Sequence, residues 1–211
     1  MANTDISLRE LKKARTKLTL YEALLSLIGD KMFHELMLED ICRHAEVSRV
    51  TFFKFFQRKE DLLIYFMRVW LTERVIEIEV GKKRGFDAVR HILWCVAEQA
   101  KRQRGIMPSL ISFLAQMNMH PRMPVLSDAE VRMLFPDHEE IGAQEPDMYL
   151  MFRQFMMEAN TEGRLKEDVT MDLAIQSLFT IFYGAFLTAN LYGSTEIETF
   201  YENHLQLIEK R

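Results

Sequence analysis

Residues 38–56 read LEDICRHAEVSRVTFFKFF, and this stretch decides the fold. Its spacing predicts one short helix over 38–45 and a second over 49–56, joined by only three residues, Glu46-Val47-Ser48. Ser48 stands where its hydroxyl can accept an otherwise unpaired amide of the second helix. Two short helices joined so tightly must cross at a steep angle, which is the geometry of a helix-turn-helix. On the second helix Phe52 and Phe56 lie one turn apart and face inward, which leaves Arg49, Thr51 and Lys54 pointing outward.

Upstream, Leu18, Tyr21, Leu24, Leu25 and Ile28 recur every three or four residues until Gly29 and Asp30 interrupt them, predicting an amphipathic helix over 8–28. Its start is basic: Arg9, Lys12, Lys13, Arg15 and Lys17 fall within nine residues. Downstream, Lys59-Glu60-Asp61 opens a long helix whose stripe is Leu62, Leu63, Phe66, Val69, Trp70 and Ile76, ending near Gly81. Early acidic groups suit its dipole. Further helical periodicity covers 86–104, 109–118, 147–162, 171–192 and 195–210. Between His120 and Pro146 four further prolines and glycines, Pro121, Pro124, Pro136 and Gly142, predict loop with one short helix near 128–134. No stretch alternates as a strand would and no repeat is present, so the expected class is all-α with about nine helices.

The stretch from Leu20 to Leu63 resembles the N-terminal DNA-binding region of the TetR family of transcriptional regulators. EDIC, the AEVS turn, TFFKFF and RKEDLL occur in the family's order and spacing. A weaker resemblance covers EGRLKEDVTMDLAIQSLFTIFYGAFL (162–187), which is similar to the segment leading into the family's last pair of helices. The resemblance implies a helix-turn-helix domain over 1–60 and a ligand-sensing and dimerisation domain over 61–211. It implies a ligand-responsive repressor that binds double-stranded DNA as a homodimer, with two recognition helices about 34–36 Å apart entering successive major grooves of a near-palindromic operator.

Arg49, Thr51 and Lys54 are then the candidates for reading bases, Arg and Lys by donating to guanine O6 and N7. Ser48 and Phe53 border the same surface. The resemblance implies a phosphate contact for Lys59, and Lys13 and Lys17 are placed to reach a neighbouring phosphate. The family pattern is broken at five positions. Leu36 and Met37 stand where a capping Thr is usual, Glu46 where the turn has glycine, Val50 where glycine precedes the Thr, and Phe53 where a tyrosine bonds phosphate. Phe53 and Phe55 suit either apolar packing against sugars and thymine methyls or additional core packing. These departures keep a second reading open, an interaction module that retains the helix-turn-helix fold with weak or no DNA binding.

In the second domain, ten of the fourteen methionines fall between Met107 and Met171. Methionine lines adaptable apolar pockets as well as plain cores. Trp94, Phe113, Met117, Phe152 and Met156 are the candidate walls for an unknown small apolar or amphipathic ligand. The helix over 171–192 is apolar on two adjacent faces, and a four-helix interface with the final helix across a two-fold axis would use the second. The candidate interface residues are Leu178, Phe179, Ile181, Phe182, Ala185, Phe186, Phe200 and Leu205. Gly184 is expected to permit close approach and Gly193 to stop the helix.

Composition narrows the remaining classes. Net charge is -4, but residues 1–60 carry 11 Lys and Arg against 9 Asp and Glu and the remainder 16 against 22, so positive charge gathers at the front. The two cysteines, Cys42 and Cys95, form no CxxC pair, and the six histidines are scattered without ligand spacing, so neither disulfide, metal nor cofactor is expected. GxSxG, HExxH and phosphate-loop motifs are absent, which argues against an enzyme. The start of the chain lacks an apolar signal core and no uninterrupted apolar run nears the roughly 20 residues of a membrane span, so a cytoplasmic location without membrane partners is expected.

Overall fold

Ser7 starts the first helix, α1 (Leu8–Ile28), by a reciprocal cap: its hydroxyl accepts from the Glu10 amide while the Glu10 carboxylate accepts from the Ser7 amide. The computed structural model describes residues 6–117 and 121–210. A 3-10 turn (Phe33–Glu35) leads into α2 (Leu38–His44) and α3 (Arg49–Phe53), followed by α4 (Asp61–Val80), α5 (Gly85–Arg102) and α6 (Ile106–Ala115). The expected end of the sixth helix at Asn118 and the expected start of the loop at His120 lie outside the described residues. Beyond them come α7 (Asp128–Leu134), the single turn α8 (Glu139–Gly142) and α9 (Met148–Thr161). One continuous helix then runs through α10 (Met171–Thr180), a π-helical turn (Ile181–Ala185) and α11 (Phe186–Leu191), and α12 (Ile197–Leu205) follows. Among the described residues there is no strand, only an isolated antiparallel bridge between Leu165 and Glu209. The class is all-α as expected. The short helix expected near 128–134 is present as α7, where Ser127 and Glu130 repeat the reciprocal cap of α1, and α8 is a further single turn without a side-chain cap.

The described residues up to Ile76 and those from Arg102 to Pro146 form one compact unit; those from Glu77 to Lys101 and from Asp147 onward form the second. The first unit is held by a chain of aromatic contacts. Phe52 of α3 meets Phe56 at 5.4 Å between ring centres, Phe56 meets Tyr65 of α4 edge-on at 5.7 Å, and Tyr65 meets Tyr21 of α1 at 5.8 Å. Such pairs contribute about 0.5–1.5 kcal/mol each beyond burial, so they fix α3 relative to α1 and α4. Phe52 is fully buried, as its spacing requires.

The segment 121–146 joins this unit through a carboxylate. Glu130 on α7, 3% exposed, accepts from the Lys17 ammonium at 2.6 Å and from the Tyr65 hydroxyl at 3.0 Å, while Ser127 supplies its amide and hydroxyl. Burial works to raise the Glu130 carboxyl, and these donors outweigh it, leaving it below the usual carboxylate range. A second strap is Arg68, also buried, whose guanidinium donates to the Gly142 carbonyl at 2.8 Å and to the Thr72 hydroxyl. At the entry to α6 the chain passes so close to the Lys31 carbonyl that a Cβ on Gly105 would lie 1.7 Å from its oxygen. Only glycine fits there.

The turn between α2 and α3 carries the strain its sequence implies. Glu46 adopts a φ of 54°, in the left-handed region, where a side chain costs about 1–2 kcal/mol. Part of that returns when glycine is introduced, because the unfolded chain gains freedom. Glu46→Gly is expected to raise unfolding stability by about 0.5–1 kcal/mol in denaturant titration. No change in the denaturant slope should accompany it. The entry to α2 has no side-chain cap at Met37, as its residue type implies.

In the second unit α10 packs on α9, and α12 packs on the π-helical turn and α11. Phe152 of α9 lies 5.1 Å from Phe179 and 6.3 Å from Phe182 between ring centres. The Tyr201 hydroxyl of α12 donates to the Phe182 carbonyl at 3.1 Å, occupying an acceptor within the widened turn. By length and mean hydropathy (1.3) the helix Met171–Leu191 could cross a membrane. Its inner face, Ala174, Ile175, Leu178, Ala185 and Ala189, is instead buried within the unit, as in the core helix of a bundle. Gly193 stops the helix with a φ of 63°. Among the described residues nothing lies nearer the Gly184 Cβ position than Thr180 of its own helix at 3.9 Å, so among them it serves no close approach.

Candidate nucleic-acid interface

The outward face of α3 is set by what its inward face must bury. With Phe52 and Phe56 inside, Arg49 and Lys54 are exposed and Thr51 is half-buried. The Ser48 hydroxyl accepts from the Thr51 amide at 3.1 Å and lies 2.9 Å from the Thr51 hydroxyl, so Ser48 acts as the cap of α3. Arg49 pairs with Glu39 of α2 at 2.9 Å, with both side chains substantially exposed. Such a surface pair contributes little and yields readily to a better acceptor.

A groove of about 1080 Å³ runs between α1 and α3. Lys13, Lys17, Thr51 and Lys54 line it, so four of the sequence candidates share one surface. Arg9 and Lys12 line it too. They stand out as cations in the basic run but were not among the candidates, because nothing local tells which side of α1 faces α3. Ser127 and Glu130 close one wall. Apart from Glu130 and Glu10, the charged groups of the lining are cationic, which suits a phosphate backbone.

Two of the lysines expected to meet phosphates are engaged within the chain. The Lys59 ammonium donates to the Phe33 carbonyl at 3.0 Å and the Leu36 carbonyl at 2.7 Å and stands over the Phe33 ring. It caps the 3-10 turn, and partial burial draws its pKa down. Lys17 is engaged with buried Glu130, its side chain 17% exposed. Both cations therefore complete the fold. Lys59→Met is expected to lower stability by about 1–3 kcal/mol while leaving the salt dependence of DNA binding unchanged. A paired urea titration and salt series would check this. Phe53 is 48% exposed and edge-on to Phe52, and Phe55 is half-buried.

The ligand-wall candidates fall in both units. Phe113 and Met117 lie in the first unit, Trp94, Phe152 and Met156 in the second. Phe152 and Met156 are fully buried in the core of their own unit, and Trp94 is 51% exposed. Of the interface candidates, Leu178, Ile181, Phe182, Ala185, Phe186 and Leu205 are buried inside the single chain, which leaves them no surface for a second copy; Phe179 and Phe200 are half-buried. Along that helix α9 packs on α10, and α12 packs on the π-helical turn and α11.

A helix-turn-helix presented on an all-α scaffold, with a cationic groove beside its second helix, defines a DNA-binding regulator by class. Residues 20–66 match the sequence model of the bacterial regulatory proteins of the tetR family. Comparison with curated proteins found no match. Among solved structures, that of reduced Escherichia coli NemR matches with a TM-score of 0.60 at 16% identity, over 92% of this chain and 98% of that one. Bacillus subtilis FadR in complex with stearoyl-CoA matches with a TM-score of 0.58 at 18% identity, over 90% and 96%. Thermus thermophilus FadR in complex with lauroyl-CoA matches with a TM-score of 0.54 at 21% identity, over 90% and 92%. At these identities the likeness is one of fold.

Proposed function

We propose that the protein is a sequence-specific transcriptional regulator that binds a near-palindromic operator as a homodimer, in the bacterial cytoplasm, and is released from it by a small apolar or amphipathic ligand. The observation that carries this reading is the exposed pair Arg49 and Lys54 on a helix anchored by buried Phe52, beside the groove lined by Arg9, Lys12 and Lys13. The helix offers groups suited to base edges and the groove offers cations suited to phosphates, the division of labour that specific binding requires. The division into a DNA-binding part over 1–60 and a sensing and dimerising part over 61–211 is one of role, distinct from the two compact units.

Dimerisation would use the outward side chains of the last helices, since the inward ones are already covered. Leu187, Leu191 and Leu207 are 39%, 75% and 65% exposed. The ligand class draws support from the acyl-CoA complexes of two proteins of the same fold. Release requires that the ligand bind more tightly to the chain in an arrangement that no longer fits the operator.

Selection of bound duplexes from a random pool tests the function. A regulator of this kind enriches a two-fold symmetric sequence. Recovery of an unenriched pool contradicts it and favours the interaction-module reading suggested by Leu36, Met37, Glu46, Val50 and Phe53.

A further inference from the structure

The end of α4 and the middle of α5 bring together three groups that play no part in DNA recognition. His91 and Cys95 stand four residues apart on α5 and so share one face, and Glu77 reaches them from the last turns of α4. Glu77 Oε2 lies 2.7 Å from His91 Nε2, and Cys95 Sγ lies 3.7 Å from each of those two atoms. Read along the sequence, the histidines carry no ligand spacing; on the helix, His91 and Cys95 do. We propose that Glu77, His91 and Cys95 form a binding site for a divalent transition-metal ion of the zinc class.

All three donor atoms lie within 4.8 Å of one another. Around tetrahedral zinc, a thiolate sulfur is about 3.5 Å from an imidazole nitrogen or carboxylate oxygen, given bonds of about 2.3 Å to sulfur and about 2.0–2.1 Å to nitrogen and oxygen. The two 3.7 Å separations meet that geometry as they stand. The Glu77 to His91 hydrogen bond must open by about 0.6 Å to match the corresponding nitrogen-to-oxygen span, which a half-exposed carboxylate on the final turns of a helix can supply by rotating.

Thiol plus imidazole selects against magnesium and calcium, which require a cage of oxygens, and for zinc, cobalt or copper. Exposure rises across the site, from Cys95 at 9% to side chains of 15% for His91 and 42% for Glu77. The ion can therefore enter beside Glu77, and three protein ligands leave a fourth position for water or an exogenous donor. The Trp94 indole stacks on His91, ring centres 6.4 Å apart, and restrains the imidazole plane.

Cobalt(II) titration of the full-length reduced protein tests the site, because cobalt reports its own ligands. One equivalent per chain is expected to produce a thiolate-to-cobalt charge-transfer band with intense visible bands of a tetrahedral ion, all abolished by zinc. Cys42→Ser should keep the spectrum and Cys95→Ser should lose the charge-transfer band. Glu77→Gln and His91→Gln, which leave the thiol in place, should each weaken binding by about tenfold or more. Absence of the band in the natural chain overturns the proposal, as does its survival in Cys95→Ser or its loss in Cys42→Ser. If Cys95→Ser does not fold, unchanged cobalt affinity in both Glu77→Gln and His91→Gln overturns it.

Discussion

Lys17→Met is expected to lower unfolding stability by about 3–5 kcal/mol at neutral pH, the loss typical when one member of a buried ion pair is removed. Lys17 donates to Glu130 at 2.6 Å, and the Glu130 side chain is 4% exposed. Without the ammonium, the largely buried carboxylate keeps only the Tyr65 and Ser127 donors. The pH dependence reverses with it. In the natural chain the Glu130 pKa is lowered in the folded state, so its contribution is present above the ordinary value of 4.5 and is lost as pH falls through the folded pKa. In the variant, burial dominates and raises the folded pKa, so the deficit is full at neutral pH and shrinks as the carboxyl takes up a proton. Denaturant titrations of both proteins at pH 7 and near pH 4.5 read this directly. An equal deficit at both pH values contradicts the assignment.

Arg49→Ala combined with Lys54→Ala is expected to weaken binding to the selected operator by on the order of 100-fold or more, since each good base contact is worth about 1–3 kcal/mol. Stability should stay within about 0.5 kcal/mol, as for surface changes away from packed features. Both side chains are exposed, and the Arg49 pair with Glu39 is a surface pair. Discrimination between operator and scrambled duplex should fall along with affinity. Fluorescence anisotropy on both duplexes distinguishes this outcome from a uniform loss, which would assign the two residues to phosphates.

The parts of this account that were legible in the sequence are local. Phe52 and Phe56 one turn apart, Ser48 at a cap and a tight connection are facts about neighbours in the chain; the structure buries both rings, caps α3 with Ser48 and joins α2 to α3 through the four residues 45–48. Glu46 in the left-handed region followed from a residue type placed where glycine is usual. What escaped the sequence depends on partners far along it. Lys17 and Lys59 looked like free cations because Glu130 lies 113 residues from the one, and the other is held by carbonyl oxygens, which have no sequence signature.

The same limit explains the last helices. Two apolar faces on 171–191 suggested one for the core and one for a second copy, yet Leu178, Ile181, Phe182, Ala185 and Phe186 are all buried within the single chain. Periodicity says that a face is buried, not by what. The pair His91 and Cys95, four residues apart on α5, passed unread because its third member, Glu77, comes from α4.

The most direct test of the central claim is a salt series comparing the selected duplex with a scrambled one of equal length. The account predicts that affinity for both falls as salt rises, with the selected duplex bound tighter by about 10³-fold or more near physiological salt. Equal affinity for the two duplexes, or binding that ignores salt, would contradict a recognition helix that reads bases beside a cationic groove.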